Sequence, residues 1–153
     1  MNALRALCFA ALAAATPFTW ADEAPARTAV LPAYTTECGA CHVPFPSRLL
    51  PAASWQRLMD NLPRHYGTDA SLEAPVAREI SAWLQSHAAT GRRAEEAPPQ
   101  ERITRSAWFV REHDEVPAAD WKRPAIGKPS NCAACHTRAA EGRFGEREIR
   151  IPR

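Results

Sequence analysis

Two copies of Cys-x-x-Cys-His, CGACH at 38–42 and CAACH at 132–136, constrain this 153-residue chain more than any other feature. Their weight depends on how the chain begins. MNALRALCFAALAAATPFTWADEAP has an early Arg5, then an alanine- and leucine-rich run, then small residues before Ala21. That is the layout of a secretory signal peptide spanning 1–21, cleaved after Ala21. The apolar run is too short for a mature membrane anchor. Cys8 follows Leu7 rather than a small residue, which argues against lipid attachment; an uncleaved anchor is the alternative. Of the 5 cysteines, removal of Cys8 leaves Cys38, Cys41, Cys132 and Cys135. Every cysteine of the exported chain then belongs to one of the two motifs, and none is spare for a disulfide elsewhere.

The exported chain would be soluble, periplasmic and near neutral, since losing Arg5 takes the formal charge of +2 to +1. It shows no basic stripe with interleaved aromatics, so nucleic acid is not an expected partner. Fourteen prolines limit long helices. If the chain forms two units, each is too small to bury a sufficient core without a staple, metal or cofactor.

Periodicity places short helices in the first half. One is expected over 33–42, carrying the first motif, with 43–53 as a proline-rich loop. Ser54 reads as the N-cap of a helix from Trp55, with Trp55, Leu58, Met59, Leu62 and Tyr66 on one face, a kink at Pro63 and an end at Gly67. A second helix is expected from about Ser71, with Val76, Ile80, Trp83, Leu84 and His87 on one face and Gly91 as its stop. GRRAEEAPPQER, 91–102, reads as a linker. That divides the chain into 22–90, 91–102 and 103–153. ITRSAWFVREHDEV is ambiguous between helix and strand. VPAADWKRPAIGKPSN reads as extended loop, with Asn131 capping a short helix through CAACH.

On a helical turn, positions i, i+3 and i+4 project from one side. Two thiols can then meet two vinyl groups of one porphyrin while the adjacent imidazole reaches its iron, the c-type haem attachment pattern. Two motifs imply two covalently bound haem c groups, through Cys38 and Cys41 and through Cys132 and Cys135, with His42 and His136 as iron ligands. A zinc site is the bland alternative, but its second cysteine pair should lie within a few tens of residues. A redox dithiol would need a βαβ context, and none is visible.

Iron with both axial positions filled by protein is suited to passing electrons, whereas an open position suggests gas binding or chemistry. Besides His42 and His136 the chain has His65, His87 and His113, and one methionine, Met59, outside the signal peptide. Two distal histidines are the simplest assignment. His65 is the candidate for the first iron, with His87 its rival and Met59 reading as core. His113 has no competing histidine in its half, although a ligand crossing between halves, such as His87, is an open alternative. Trp55, Trp83, Trp108, Trp121 and Phe109 are candidates to line haem edges. Arg102, Arg105, Arg111 and Arg143 suit propionates, and none is assigned.

SWQRLMDNLPRHYGTDASLE, ERITRSAWFVREHDEVP and the terminal NCAACH…IRIPR resemble the dihaem cytochrome c family of proteobacteria over most of the exported chain. The resemblance implies a mainly α protein of two small haem-centred domains. The N-terminal one would be like class I cytochromes c and the C-terminal one largely irregular. It also implies His42 with His65 on the first iron, and His136 with His113 on the second. An oxygen-binding monohaem cytochrome and a membrane cytochrome b are the redox partners it suggests. The function expected is single-electron transfer between haem proteins, without catalysis. A haem enzyme or gas sensor with one open or labile axial position is the competing class.

Overall fold

The computed structural model describes residues 29–153. The expected signal peptide and Cys8 lie outside them. Among the described residues every regular element is helical, and β pairing is limited to isolated bridges between His65 and Thr68 and between His136 and Ile149. The chain is mainly α, as its sequence implied.

Proline sets most of the helix boundaries. Helix α1, Pro32–Gly39, starts on a proline whose missing N–H costs nothing in the first turn. It stops short of the expected end at His42, so Cys38 lies on the helix while Cys41 and His42 follow in the turn beyond it. Helix α2, Ala52–Met59, begins a turn earlier than the Ser54 cap suggested. The Pro51 carbonyl accepts the N–H groups of Ser54 and Trp55 at 3.0 and 3.1 Å. Ser54 is therefore inside the helix and fully buried.

The end of α2 corrects the sequence reading more seriously. No helix continues to Gly67. A helical Pro63 would drive its ring into the carbonyl of Met59, four residues back, and α2 stops at that residue. A 3-10 turn, Leu62–Arg64, follows and leaves His65 outside any helix. Tyr66, expected on the buried face, is 43% exposed.

Helix α3, Ala74–Ser86, is the longest element among the described residues and packs mainly against α2. It starts three residues later than expected and ends at His87, before Gly91. Ile80 and Leu84 on its inner face join Tyr34, Leu50 and Trp55 in the core of the first half. Burial of one such side chain is worth about 1.5–3 kcal/mol, so a core of this size is small for its job.

Segment 91–102 is not a free tether. It holds α4, Arg92–Glu95, and a 3-10 turn, Pro99–Glu101. Glu101 accepts two hydrogen bonds from Arg57 of α2, at 2.6 and 3.1 Å. The ambiguous stretch beyond resolves as a 3-10 turn, Ile103–Arg105, and helix α5, Ala107–Glu112. Ser106 caps α5, its hydroxyl accepting the Phe109 N–H at 3.3 Å. Segment 116–131 is a run of turns rather than extended chain. Asn131 donates to the Ile126 carbonyl at 3.1 Å instead of capping, and Cys132–Ala134 is a 3-10 turn. Phe109, Ile126 and Ala139 are the buried apolar residues of this half.

Candidate metal centres

The turn after α2 brings His65 back over the first motif. Its ring centre lies 6.2 Å from that of His42, with 17° between the planes. The reversal is a four-residue turn closed by Thr68 N–H donating to the His65 carbonyl at 3.1 Å. Both central residues, Tyr66 at φ 52 and Gly67 at φ 96, are left-handed. Glycine takes that conformation freely, whereas tyrosine there costs about 1–2 kcal/mol. The His42 ring is held by Nδ1 donating to the Val43 carbonyl at 2.8 Å and by stacking on Phe45 at 4.8 Å.

The second half repeats the pairing with different parts. His113 follows the last residue of α5, and His136 ends the second motif. Their ring centres are 6.1 Å apart with planes at 75°. His113 donates from Nδ1 to the Phe109 carbonyl at 2.9 Å, one helical turn back, and stacks on the Phe109 ring at 4.0 Å. The C-terminal tail secures the motif: Arg150 N–H donates to the Cys135 carbonyl at 2.8 Å, and Thr137 donates to the Glu148 carbonyl through its N–H at 3.3 Å and hydroxyl at 2.9 Å. Arg123 reaches the Pro152 carbonyl at 2.7 Å.

The donor chemistry fits an iron porphyrin at each pair. Two imidazoles bound to opposite sides of one metal at about 2 Å have ring centres roughly 6 Å apart, the spacing of both pairs. A proton held at Nδ1 by a carbonyl leaves the lone pair of Nε2 for a metal, as on His42 and His113. His65 and His136 have a buried Nδ1 without a hydrogen-bond partner. Burial, then the facing histidine, lowers the pKa of each, which favours the neutral, ligating form. Cys38, Cys41, Cys132 and Cys135 are in no disulfide, so each sulfur is available for a thioether. Burial, then Glu37 and Cys41, pushes the Cys38 thiol up to about 11, and burial also raises Cys132 and Cys135.

The other candidates lie elsewhere. Met59 packs against the first core. His87 caps α3, with Nδ1 2.8 Å from the Trp83 carbonyl and its ring stacked on Trp83. Arg102, Arg105, Arg111 and Arg143 engage Tyr66, Gln100, Glu112 and Glu148 respectively. Of the five large aromatics considered from sequence, Phe109 and Trp121 face His113. Trp55 donates to the Ser47 carbonyl, Trp83 stacks on His87 and meets Tyr34 at a tilt, and Trp108 lies under Arg93. Three bracing rings were missed: Phe45 on His42, Tyr66 on His65 at 4.9 Å and Phe144 on His136 at 5.3 Å. Closeness in sequence to a histidine, three residues for Phe45 and one for Tyr66, was the only signal for the first two.

Comparison with known proteins bears on the same residues. The family model described as "Dihaem cytochrome c" matches residues 34–144. A diheme cytochrome type c from Shewanella baltica OS155, known from an X-ray structure, is 38% identical. The match covers 79% of this chain and 92% of that one, with a TM-score of 0.69. Two structures of a diheme cytochrome c from Rhodobacter sphaeroides are also similar. One is 41% identical over 76% of this chain and 98% of that one, with a TM-score of 0.65. The other is 42% identical over 74% and 95%, with a TM-score of 0.66. No curated protein matches the chain.

Proposed function

The chain belongs to the dihaem cytochrome c family, and from that premise we propose which residues do its work. As a member it is a periplasmic electron carrier with two covalently bound haem c groups, and it transforms no substrate. When bound, each haem supplies one-electron chemistry at its iron.

Cys38 and Cys41 tether the first haem, with His42 and His65 on its iron; Cys132 and Cys135 tether the second, with His136 and His113 on its iron. The observation that supports this most directly is the separation of the two histidine pairs, 6.2 and 6.1 Å between ring centres. The chain's own part would be to hold each iron between two imidazoles and keep small ligands from it. The carbonyls of Val43 and Phe109 keep the Nδ1 protons of His42 and His113 in place. Phe45, Tyr66, Phe109 and Phe144 limit ring rotation. Imidazole in place of thioether on both irons keeps the potentials below those of His/Met cytochromes.

Residues 22–90 form an N-terminal haem domain of class I cytochrome c type and 103–153 a largely irregular C-terminal one, joined by 91–102. The buried cluster of Tyr34, Leu50, Trp55, Ile80 and Leu84 draws on the first unit alone, with Ile103 packed at its edge, which favours this division. The partners are other redox proteins, with an oxygen-binding monohaem cytochrome and a membrane cytochrome b as the specific ones.

Paramagnetic resonance of the oxidised protein tests the ligand set. His65→Ala should abolish one low-spin signal and His113→Ala the other. If His65→Ala leaves both signals as they were, the first assignment is wrong. Carbon monoxide added to the reduced protein should produce no prompt, stoichiometric change at either haem.

A further inference from the structure

We propose that Tyr66 is a positioning residue for His65, and that it braces the first haem site against the segment leading into the second half. This rests on His65 ligating the first iron.

Two of the other three candidate ligands differ from His65 in how their rings are held. His42 and His113 each donate from Nδ1 to a carbonyl. His136 shares the unpartnered Nδ1 of His65 but belongs to a motif secured by the C-terminal tail. The His65 Nδ1 is buried and has no hydrogen-bond partner. With no acceptor to set its rotation, the ring must be oriented by packing, and the tilted Tyr66 ring at 4.9 Å supplies it.

Tyr66 is itself held from a distance. Its hydroxyl proton is shared between the carbonyls of Gln100 at 3.1 Å and Glu101 at 3.0 Å. The Arg102 guanidinium lies 4.2 Å above its ring, a favourable cation–π arrangement. These contacts span 34 and 35 residues of sequence. They hold a side chain that is otherwise substantially exposed.

The backbone on both sides of the contact is strained. Tyr66, Gln100 and Glu101, at φ 52, 60 and 55, are the non-glycine residues of positive φ among those described. Such conformations persist where the surroundings over-determine them, and they gather at functional sites. Here the strained residues are the two partners of one hydrogen-bonded bracket. Its far side continues through Ile103–Arg105 and the Ser106 cap into α5, whose end carries His113. The bracket therefore links His65 to His113 by a short route through Ile103–Arg105 and α5.

The test uses the oxidised holoprotein and cyanide as the displacing ligand. Tyr66→Phe removes the hydroxyl and leaves a ring against His65 and Arg102. The expected result is a shifted paramagnetic signal for the first haem, an unchanged one for the second, and displacement of His65 by cyanide roughly fivefold faster, the factor one neutral hydrogen bond is worth. Arg57→Gln, which frees the same segment from α2 with Tyr66 intact, should change that rate less than about twofold. A wild-type signal and rate in Tyr66→Phe, equal shifts at both haems, or equal acceleration in Arg57→Gln each overturns the proposal. If Tyr66→Phe is not recovered with both haems, Arg102→Gln is read the same way. It should give a smaller shift confined to the first site, and no shift would sink the idea. An unaltered spectrum in His65→Ala defeats the ligand assignment instead, so the two failures are distinct.

Discussion

The imidazoles of His113 and His136 are crossed at 75°, whereas those of His42 and His65 are within 17° of parallel at almost the same separation. Ring orientation governs which iron orbitals the ligand π systems raise. Aligned rings split the orbitals they overlap, and crossed rings leave them nearly equal. The oxidised protein should therefore show two low-spin paramagnetic signals of equal weight, one rhombic and one much more anisotropic. Removing His65 should abolish the rhombic one. Two indistinguishable signals would show that the ring angles differ from these in the loaded protein.

The C-terminal tail should matter to one haem only. Residues 149–153 supply the hydrogen bond from Arg150 to Cys135 and the acceptor for Arg123. Ending the chain at Glu148 should destabilise the second site by about 1–3 kcal/mol, the worth of two hydrogen bonds. Denaturant titration followed at each haem's absorption should show the second transition moving and the first staying. Equal movement of both would argue against a local strap.

Leu84 tests whether the halves stand alone. It is 1% exposed and sits between α3 and the rest of the first core. Leu84→Ala should cost about 2–5 kcal/mol and loosen the first haem site. Under the domain division proposed above, the paramagnetic signal of the second site survives in conditions where the first is lost. Simultaneous loss of both would mean a single cooperative unit.

Acid should weaken the attachment of segment 99–101 to α2. Burial raises the Glu101 carboxyl pKa, but hydrogen bonds from Arg57 and Ser54 and the Arg57 charge outweigh it, so the net direction is downward from 4.5. A carboxyl depressed in the folded state contributes stability that is complete above its unfolded value and disappears as pH falls through the folded one. Wild type should lose thermal stability relative to Glu101→Gln as pH drops below 4.5. Melting curves of the two proteins across that range decide it, and a constant difference between them would remove Glu101 from the acid response. Arg57 is half exposed, so added salt should shrink the effect.

The chemistry was legible because it is local. CGACH and CAACH place thiols and imidazole within one turn, and nothing distant is needed to read them. Helix α3 was legible for the same reason: its apolar spacing and Pro75 near its start sit in one continuous stretch. The histidines at 65 and 113 could be proposed by elimination and by resemblance, but not placed. His65 was expected on a long helix, and the ring of Pro63 ends that helix at Met59.

Other features were decided by contacts between distant segments. Nothing local marks 91–102 as clamped, since Tyr66 donates to its backbone carbonyls, Arg57 to the Glu101 carboxylate, and both partners lie more than thirty residues away. The left-handed backbone of Tyr66, Gln100 and Glu101 goes against intrinsic preference, and these residues meet across that contact. The tail is similar: REIRIPR has no pattern by itself and acquires structure by pairing with the second motif. Sequence alone determined which atoms could bind iron, because covalent spacing and residue type suffice for that. The tertiary structure decided how each pair of rings is turned and what braces it, because those depend on side chains that meet only once the chain has folded.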